Sequence, residues 1–379
     1  MKFTQMTFTD ALDDAADENV AVHSHPHQLE VQDFSTYALI IDARSPREYN
    51  DDHLPGAVNL PVVDNDEYAE VGTRHKDDKH AAYLIGVEYS LRNIAMQIKP
   101  LISKYQPTDR MLVYCFRGGK RSRLWADNLR TIGFSVDVLK GGWKNYRRWV
   151  ISGLETLPRV FEFRVLTGPT GCGKTRMLAA LAEQGEQVLD LEAMAHHRGS
   201  LIGSLPGIAQ PSQKLFDSHL LDRLRRFTPA KPIWLEAESK KIGNVQLPMA
   251  LFEAMHRSQT IELSVPMAQR VKLWTEDYPH FATDPQTMVD KLRPLIALVG
   301  KAEYEAWQAL AAQGRIVELF ERVMVKHYDP CYARSMRKNY GPGYLERVVT
   351  LDSLEAAPML ATASELIRRF PKQPVAQGC

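Results

Sequence analysis

Apolar residues in this chain fall into short unbroken runs separated by helix-spaced stretches, and the alternation occurs twice. Tyr37-Ala38-Leu39-Ile40-Ile41-Asp42 reads as a buried strand closed by an acid, and residues 53–61 as a turn feeding another short strand. Residues 64–80 are polar and charged and read as a surface insertion. Leu91, Ile94, Ala95, Ile98 and Ile102 share one helical face, which predicts a helix over 90–105. Residues 111–114 form the next strand, 123–132 a helix, and 135–139 a strand closing at Gly141-Gly142. Strands alternating with helices predict a parallel sheet covered by helices.

Residues 153–158 read as a linker, after which a second series begins. It comprises a strand at 161–166, a glycine loop, a helix at 176–182 and a strand at 187–191. Leu215, Phe216, Leu220, Leu224 and Phe227 mark an amphipathic helix, and 232–236 and 261–265 two more strands. Beyond Met288 the pattern turns mostly helical. The expected fold class is therefore α/β in two domains: 1–155 built on a parallel sheet, and 156–379 a second α/β domain with a helical C-terminal part. A chain of 379 residues is long for a single core, which agrees.

Composition narrows the function only by exclusion. Lys and Arg number 47 against 46 Asp and Glu, so global charge makes no case for nucleic acid, although local basic patches remain available. Met1-Lys2-Phe3-Thr4-Gln5 lacks the apolar core of a secretion signal, and no apolar run approaches the roughly 20 residues of a membrane span. Cys115, Cys172, Cys331 and Cys379 are scattered without a C-x-x-C pair, which argues against a structural zinc site or a disulfide framework. A cytoplasmic protein with no membrane partner is expected.

Two loops carry candidate chemistry. Cys115-Phe116-Arg117-Gly118-Gly119-Lys120-Arg121-Ser122 follows the apolar run Met111-Leu112-Val113-Tyr114 directly. Successive backbone N–H groups in such a loop form an anion nest, and the following helix adds its positive end. Arg117 and Arg121 supply fixed charge, so the pattern favours the Cys115 thiolate, the nucleophilic form. The same nest would suit a persulfide, a perselenide or a phosphate oxyanion. A merely structural cysteine is disfavoured by the surrounding Arg-Gly-Gly-Lys-Arg.

The second loop, Gly168-Pro169-Thr170-Gly171-Cys172-Gly173-Lys174-Thr175, is a complete phosphate-loop motif in the strand–loop–helix setting it requires. Gly168, Thr170, Gly171 and Gly173 shape the backbone around phosphates, Lys174 reaches the terminal ones, and Thr175 is placed to ligate Mg²⁺. The acid that an ATPase places at the end of a neighbouring strand has two candidates, Asp190 and Glu236. The loop therefore suits a nucleotide or another diphosphate. No tightly bound cofactor is expected beyond Mg²⁺.

The first loop and its flanks resemble the rhodanese family. The segments are Asp42-Ala43-Arg44-Ser45-Pro46-Arg47-Glu48-Tyr49, His53-Leu54-Pro55-Gly56-Ala57-Val58-Asn59 (Asp52 stands where that family has glycine), Gly133-Phe134 and Leu139-Lys140-Gly141-Gly142-Trp143. That resemblance covers about residues 34–149 and implies Cys115 as the carrier of the transferred chalcogen. It outweighs the rival phosphatase pattern from Cys115 to Arg121. A rhodanese-like domain followed by a P-loop NTPase-like domain resembles the tRNA 2-selenouridine synthase family across nearly the whole chain. Gln210-Pro211-Ser212-Gln213-Lys214-Leu215-Phe216 and Ile233-Trp234-Leu235-Glu236-Ala237-Glu238-Ser239-Lys240-Lys241-Ile242-Gly243 add to it.

The resemblance implies a transferase that converts wobble 2-thiouridine in tRNA to 2-selenouridine through an S-geranyl intermediate. Its substrates would be geranyl diphosphate and selenophosphate, and an enzyme supplying selenophosphate would be a partner. Alkylation turns a poor leaving sulfur into a good one, and a phosphate loop would grip the diphosphate. Two rivals stay open: a sulfurtransferase fused to an ATP-dependent kinase of a small molecule, and a non-catalytic nucleotide-switched binding protein.

Weaker signals remain. Glu236 and Glu238 alternate on a strand and are metal or general-base candidates, with a solvated strand end as the alternative. His196-His197-Arg198-Gly199-Ser200 suits phosphate, tRNA or simply a polar loop. Among the basic patches (Arg147-Arg148, Arg225-Arg226 and 334–340), the last offers Arg334, Arg337, Lys338 and Tyr340 for tRNA contact, the tyrosine as a stacking surface. Each alone also reads as a solvated face. Cys172 is expected to pack.

Overall fold

A computed structural model describes residues 32–371. Met1 to Gln5, read above for a signal, and Cys379 lie outside them. By contacts the chain divides into two compact units, Met1–Leu154 with Pro211–Arg226, and Glu155–Gln210 with Phe227–Cys379.

The first unit is built on four strands: β1 (Leu39–Asp42), β2 (Val58–Asn59), β3 (Arg110–Tyr114) and β4 (Ser135–Val138), in the order β2-β1-β3-β4. All three pairings are parallel, with Ile41 opposite both Val58 and Val113. β1 is buried along its whole length and β3 from Met111 onward, as strands covered on both faces must be. Leu39, Ile41, Met111, Val113, Trp125, Leu129 and Val138 make the core.

The polar stretch at 64–80 is not an irregular insertion. It forms the helix Asn65–Asp77 and opens the helix Lys79–Ile102. Asp64 caps the first through the backbone N–H groups of Asp66 and Glu67, with Glu67 reaching back to complete a capping box. Asp78 caps the second. The linker expected at 153–158 is also helical: Gly142–Thr156 runs straight through and a 3-10 turn follows at Leu157–Val160. Gly153 sits inside that helix because a Cβ there would lie 2.7 Å from Leu221 Cδ1. The helix Gln213–Arg225, distant in sequence, is thus part of this unit.

Asp52 is the hub of that packing. It is fully buried and accepts from Trp143 Nε1 at 2.8 Å and from Ser218 Oγ at 2.7 Å. Arg147 pairs with Asp217, and Lys214 Nζ reaches Asp51 at 2.6 Å. Arg44, buried and paired with Asp42, donates to the Asp52 carbonyl at 2.5 Å.

The second unit has a five-stranded parallel sheet ordered β11-β10-β5-β7-β6. Its strands are β5 (Phe163–Thr167), β6 (Gln187–Leu189), β7 (Ile233–Glu236), β10 (Gln259–Ser264) and β11 (Val348–Thr350); β8 (Lys241–Ile242) and β9 (Val245–Gln246) form a separate hairpin. β11 was hidden in the helical pattern beyond Met288, since only Val349 of its three residues is buried. Trp274, Phe281, Trp307 and Phe320 anchor a second core made by the helices from Met267 onward.

Asp52→Ala should destabilise the first unit by about 2–3 kcal/mol, because it strands the buried Trp143 indole and Ser218 hydroxyl. Urea unfolding followed by tryptophan fluorescence measures this, and an unchanged midpoint would refute the hub role.

Candidate functional site

In the first unit β3 ends at Tyr114, and the chain turns through Cys115–Gly119 into the helix Lys120–Thr131. Gly118 adopts φ +74°, and a Cβ on it would lie 2.6 Å from the Leu139 carbonyl oxygen. Gly142 is tighter, its hypothetical Cβ 2.3 Å from the Cys115 carbonyl oxygen. Side chains at either position would push the two loops apart. The Cys115 carbonyl accepts from Trp143 N–H at 2.9 Å, which locks the loop from behind.

Cys115 is 0% exposed. Its Sγ receives the Gly119 N–H at 3.2 Å and lies 3.3 Å from Ser122 Oγ. This one backbone donor aimed at sulfur favours its anionic form. Arg121 is buried, and its Nη1 pairs with Glu48 Oε2 at 2.9 Å. Burial alone would raise the Glu48 carboxyl, but Arg121 and Arg44 outweigh it and hold Glu48 below the ordinary carboxylate range. Arg117 is half-buried, its guanidinium carbon 5.8 Å from the centre of the Phe116 ring.

In the second unit the phosphate loop leaves β5 and enters the helix Lys174–Glu183. Gly168, Gly171 and Gly173 all have positive φ, and a Cβ on Gly171 would lie 2.9 Å from the Arg270 carbonyl oxygen. Lys174 Nζ folds onto the Gly168 carbonyl at 3.0 Å. Burial alone would lower its pKa, but Cys172 and the nearby carboxylates outweigh that and keep it charged. Cys172 packs as expected: it is fully buried, and burial pushes its thiol up despite Lys174. Gly173 and Thr170 line a cavity of about 350 Å³ with Lys174, Thr175, Asp190 and Glu236.

Glu236 ends β7 and accepts from Thr175 Oγ1 at 2.7 Å, which places it where a phosphate-loop metal site needs its acid. Asp190 takes a different part: its Oδ1 caps the helix Leu191–Ala195 through the Ala193 N–H at 2.8 Å. Glu238 lies beyond the end of β7, not on the strand. It joins Glu236 and Glu192, and one carboxylate oxygen from each lies within 4.8 Å of the others. Glu192 escaped the sequence reading. Its only signal was an acid two residues after Asp190, in the first turn of a five-residue helix.

Three carboxylates this close cannot all ionise without a counter-charge. Burial, then the charges of Glu236 and Glu238, raise the Glu192 carboxyl far above the ordinary range. Burial and Glu236 push Glu238 up to about 7, and burial raises Glu236 against the pull of Lys174. The donor set is all oxygen, as Mg²⁺ requires, and Thr175 Oγ1 adjoins it. Glu192, Glu236, Glu238 and Thr175 therefore fit a divalent cation.

Helices of the C-terminal part clamp the loop. Arg270 Nε donates to the Thr170 carbonyl at 2.9 Å while its other nitrogens hold Asp329 at 3.0 and 2.6 Å. The Tyr332 hydroxyl receives the Gly168 N–H and donates to Glu262 at 2.9 Å. On the same helix, Asp329–Tyr340, Arg334, Arg337 and Lys338 are exposed. Tyr340 is half-buried, one face of its ring stacked on His256 at 4.7 Å. No described helix is long and apolar enough to cross a membrane.

Comparison with known proteins matches two domain families. Residues 25–148 match the rhodanese-like domain family, and 161–292 match the tRNA 2-selenouridine synthase AAA domain family. A tRNA 2-selenouridine synthase of Nitrosomonas europaea is 35% identical over 288 residues, covering 75% of this chain and 73% of that one. The protein of that name from Aeromonas salmonicida is 37% identical over 249 residues, 64% of this chain and 65% of its own. The one from Shewanella halifaxensis is 28% identical over 329 residues, 79% and 89%.

Raised carboxylates carry a sign. An acid whose folded pKa is raised stabilises the fold below its ordinary value of 4.5, and that contribution is lost as pH rises, for Glu238 through about 7. The metal-free protein should lose thermal stability from about pH 5 to about pH 8, and Mg²⁺, which binds the ionised form, should restore it. The Mg²⁺-induced shift in melting temperature should grow with pH and shrink in Glu192→Gln. A shift equal at about pH 6 and about pH 8 would refute the cluster as the metal site.

Proposed function

Given that the chain belongs to the tRNA 2-selenouridine synthase family, we propose that it converts 2-thiouridine at the tRNA wobble position to 2-selenouridine in two steps, the first using geranyl diphosphate and the second selenophosphate. The observation that carries this reading is the pair of unlike anion cradles, each at the end of a buried parallel strand. One directs a backbone N–H at a cysteine sulfur, and the other joins a phosphate loop to a carboxylate cluster.

In the first step the thiouridine sulfur attacks C1 of the geranyl group. The C1–oxygen bond breaks, diphosphate departs, and the ring gives up its N3 proton. The loop N–H groups and Lys174 hold the diphosphate and take up the charge that develops on its leaving oxygen. Mg²⁺, when bound by Thr175 and the glutamates, would supply further charge to the leaving diphosphate. In the second step selenium bonds to C2 of the ring and the geranylthiol leaves with a proton. Water then cleaves the selenium–phosphorus bond and releases phosphate. The Cys115 loop serves this step, with Arg117 and Arg121 supplying positive charge for the phosphate of the donor.

Domain boundaries near residue 155 fit this division of labour. The exposed Arg334, Arg337 and Lys338 offer charge for the tRNA backbone. A soluble cytoplasmic setting, with a selenophosphate-forming enzyme as supplier, follows from the same reading. The Thr175–Glu236 pair also suits a nucleoside triphosphate, which makes ATP the necessary competitor in any assay.

Nucleoside mass spectrometry of 2-thiouridine tRNA incubated with protein, Mg²⁺ and geranyl diphosphate, with and without selenophosphate, tests both steps. Cys115→Ser should accumulate geranylated thiouridine and form no selenouridine. Lys174→Ala should slow geranylation on the order of 10²–10³-fold. Loss of both steps in Cys115→Ser would defeat the division of labour, and unchanged tRNA with ATP turnover would favour the kinase reading.

A further inference from the structure

We infer that the loop spanning residues 196–210 forms the subsite for the hydrocarbon chain of the diphosphate ester held on the phosphate loop; this rests on the prenyl-donor reading above. Beside the cavity over the phosphate loop lies a second of about 580 Å³, framed by this loop and by Lys241, Gly243 and Asn244. The two cavities share His197, Ser200 and Leu205. The shared residues make the two spaces neighbours, so a ligand anchored at Lys174 would extend past Leu205 into the second. Both volumes lie in the range of small-molecule sites, roughly 300–1,000 Å³.

Three of the polar side chains framing the second cavity are engaged with their own surroundings. His196 Nδ1 donates to the Ala209 carbonyl at 3.1 Å. Gln210 Nε2 donates to the Ala195 and Ile242 carbonyls at 2.9 and 3.2 Å, and its Oε1 accepts the Asn244 N–H at 2.8 Å. Ser204 Oγ receives Lys291 Nζ at 3.3 Å. Three further lining side chains are aliphatic: Leu201 and Ile208 are 51% and 53% exposed, and Leu205 between them is half-buried.

Three large aliphatic side chains around one cavity hold hydrocarbon in water that no protein packing covers. Covering it with a ligand's own hydrocarbon is favourable. The loop is also held in shape without its aliphatic side chains. His197 bridges Ser204 through the backbone, and His196 and Gly199 take left-handed φ of 50° and 63°. Substitutions at the exposed Leu201 and Ile208 are therefore clean probes of binding.

The experiment is calorimetric titration of the full chain with Mg²⁺ and either geranyl diphosphate or inorganic pyrophosphate, on wild type, Leu201→Asp and Ile208→Asp. Wild type should bind geranyl diphosphate at least about tenfold more tightly than pyrophosphate. Each variant should weaken geranyl diphosphate by about tenfold and leave pyrophosphate unchanged. Dimethylallyl diphosphate, with half the hydrocarbon, should lose less. A wild type that geranylates tRNA while both variants keep its affinity would overturn the subsite alone. A wild type that gains nothing from the geranyl chain and binds ATP instead would overturn the donor reading and the subsite together.

Discussion

Both candidate centres obey one constraint: a glycine-rich loop carries the chain from the end of a buried parallel strand into a helix, so backbone passes close to backbone there. β3 delivers Cys115 to such a point, and β5 delivers the phosphate loop. The constraint propagates outward. That close passage requires glycine where a Cβ would strike a carbonyl oxygen, as at Gly118, Gly142 and Gly171. The rest of each unit keeps these loops in place. Trp143 does so behind Cys115, and Arg270 and Tyr332 do so behind the phosphate loop.

The two loops differ in how the surrounding charge is balanced. Around Cys115 the buried arginines already have carboxylate partners, Arg44 with Asp42 and Arg121 with Glu48. Beside the phosphate loop Glu192, Glu236 and Glu238 gather near Lys174, and burial leaves proton uptake as their relief. A divalent cation offers a second form of relief. The same desolvation that makes the metal-free cluster costly would make its interaction with a cation strong.

The helix Gln213–Arg225 shows how sequence distance and structural membership part company. It lies within the second half of the chain, yet Leu221 on Gly153, Ser218 on Asp52 and Arg225 over Trp149 make it part of the first unit's packing. Asp52, which stands where rhodaneses have glycine, thereby acquires a reason: it is the acceptor that joins Trp143 to this helix.

Sequence alone determined what is local. Buried strands announced themselves as apolar runs, and the two loops as spacings of cysteine, glycine and lysine, because an anion nest is a property of eight consecutive residues. The Asp64–Glu67 capping box is equally local, and it starts a helix in the polar stretch at 64–80. Tertiary structure alone decided what depends on separate elements meeting. Glu192 and Glu238 become a cluster with Glu236 only when a short helix and a strand's trailing residues converge. Tyr340 stacks on His256 only because two helices distant in sequence meet. β11 exists only because β10 offers it an edge, since three residues with one buried position carry no periodicity to read. Periodicity reports which face of an element is buried, and it is silent on which other element does the burying.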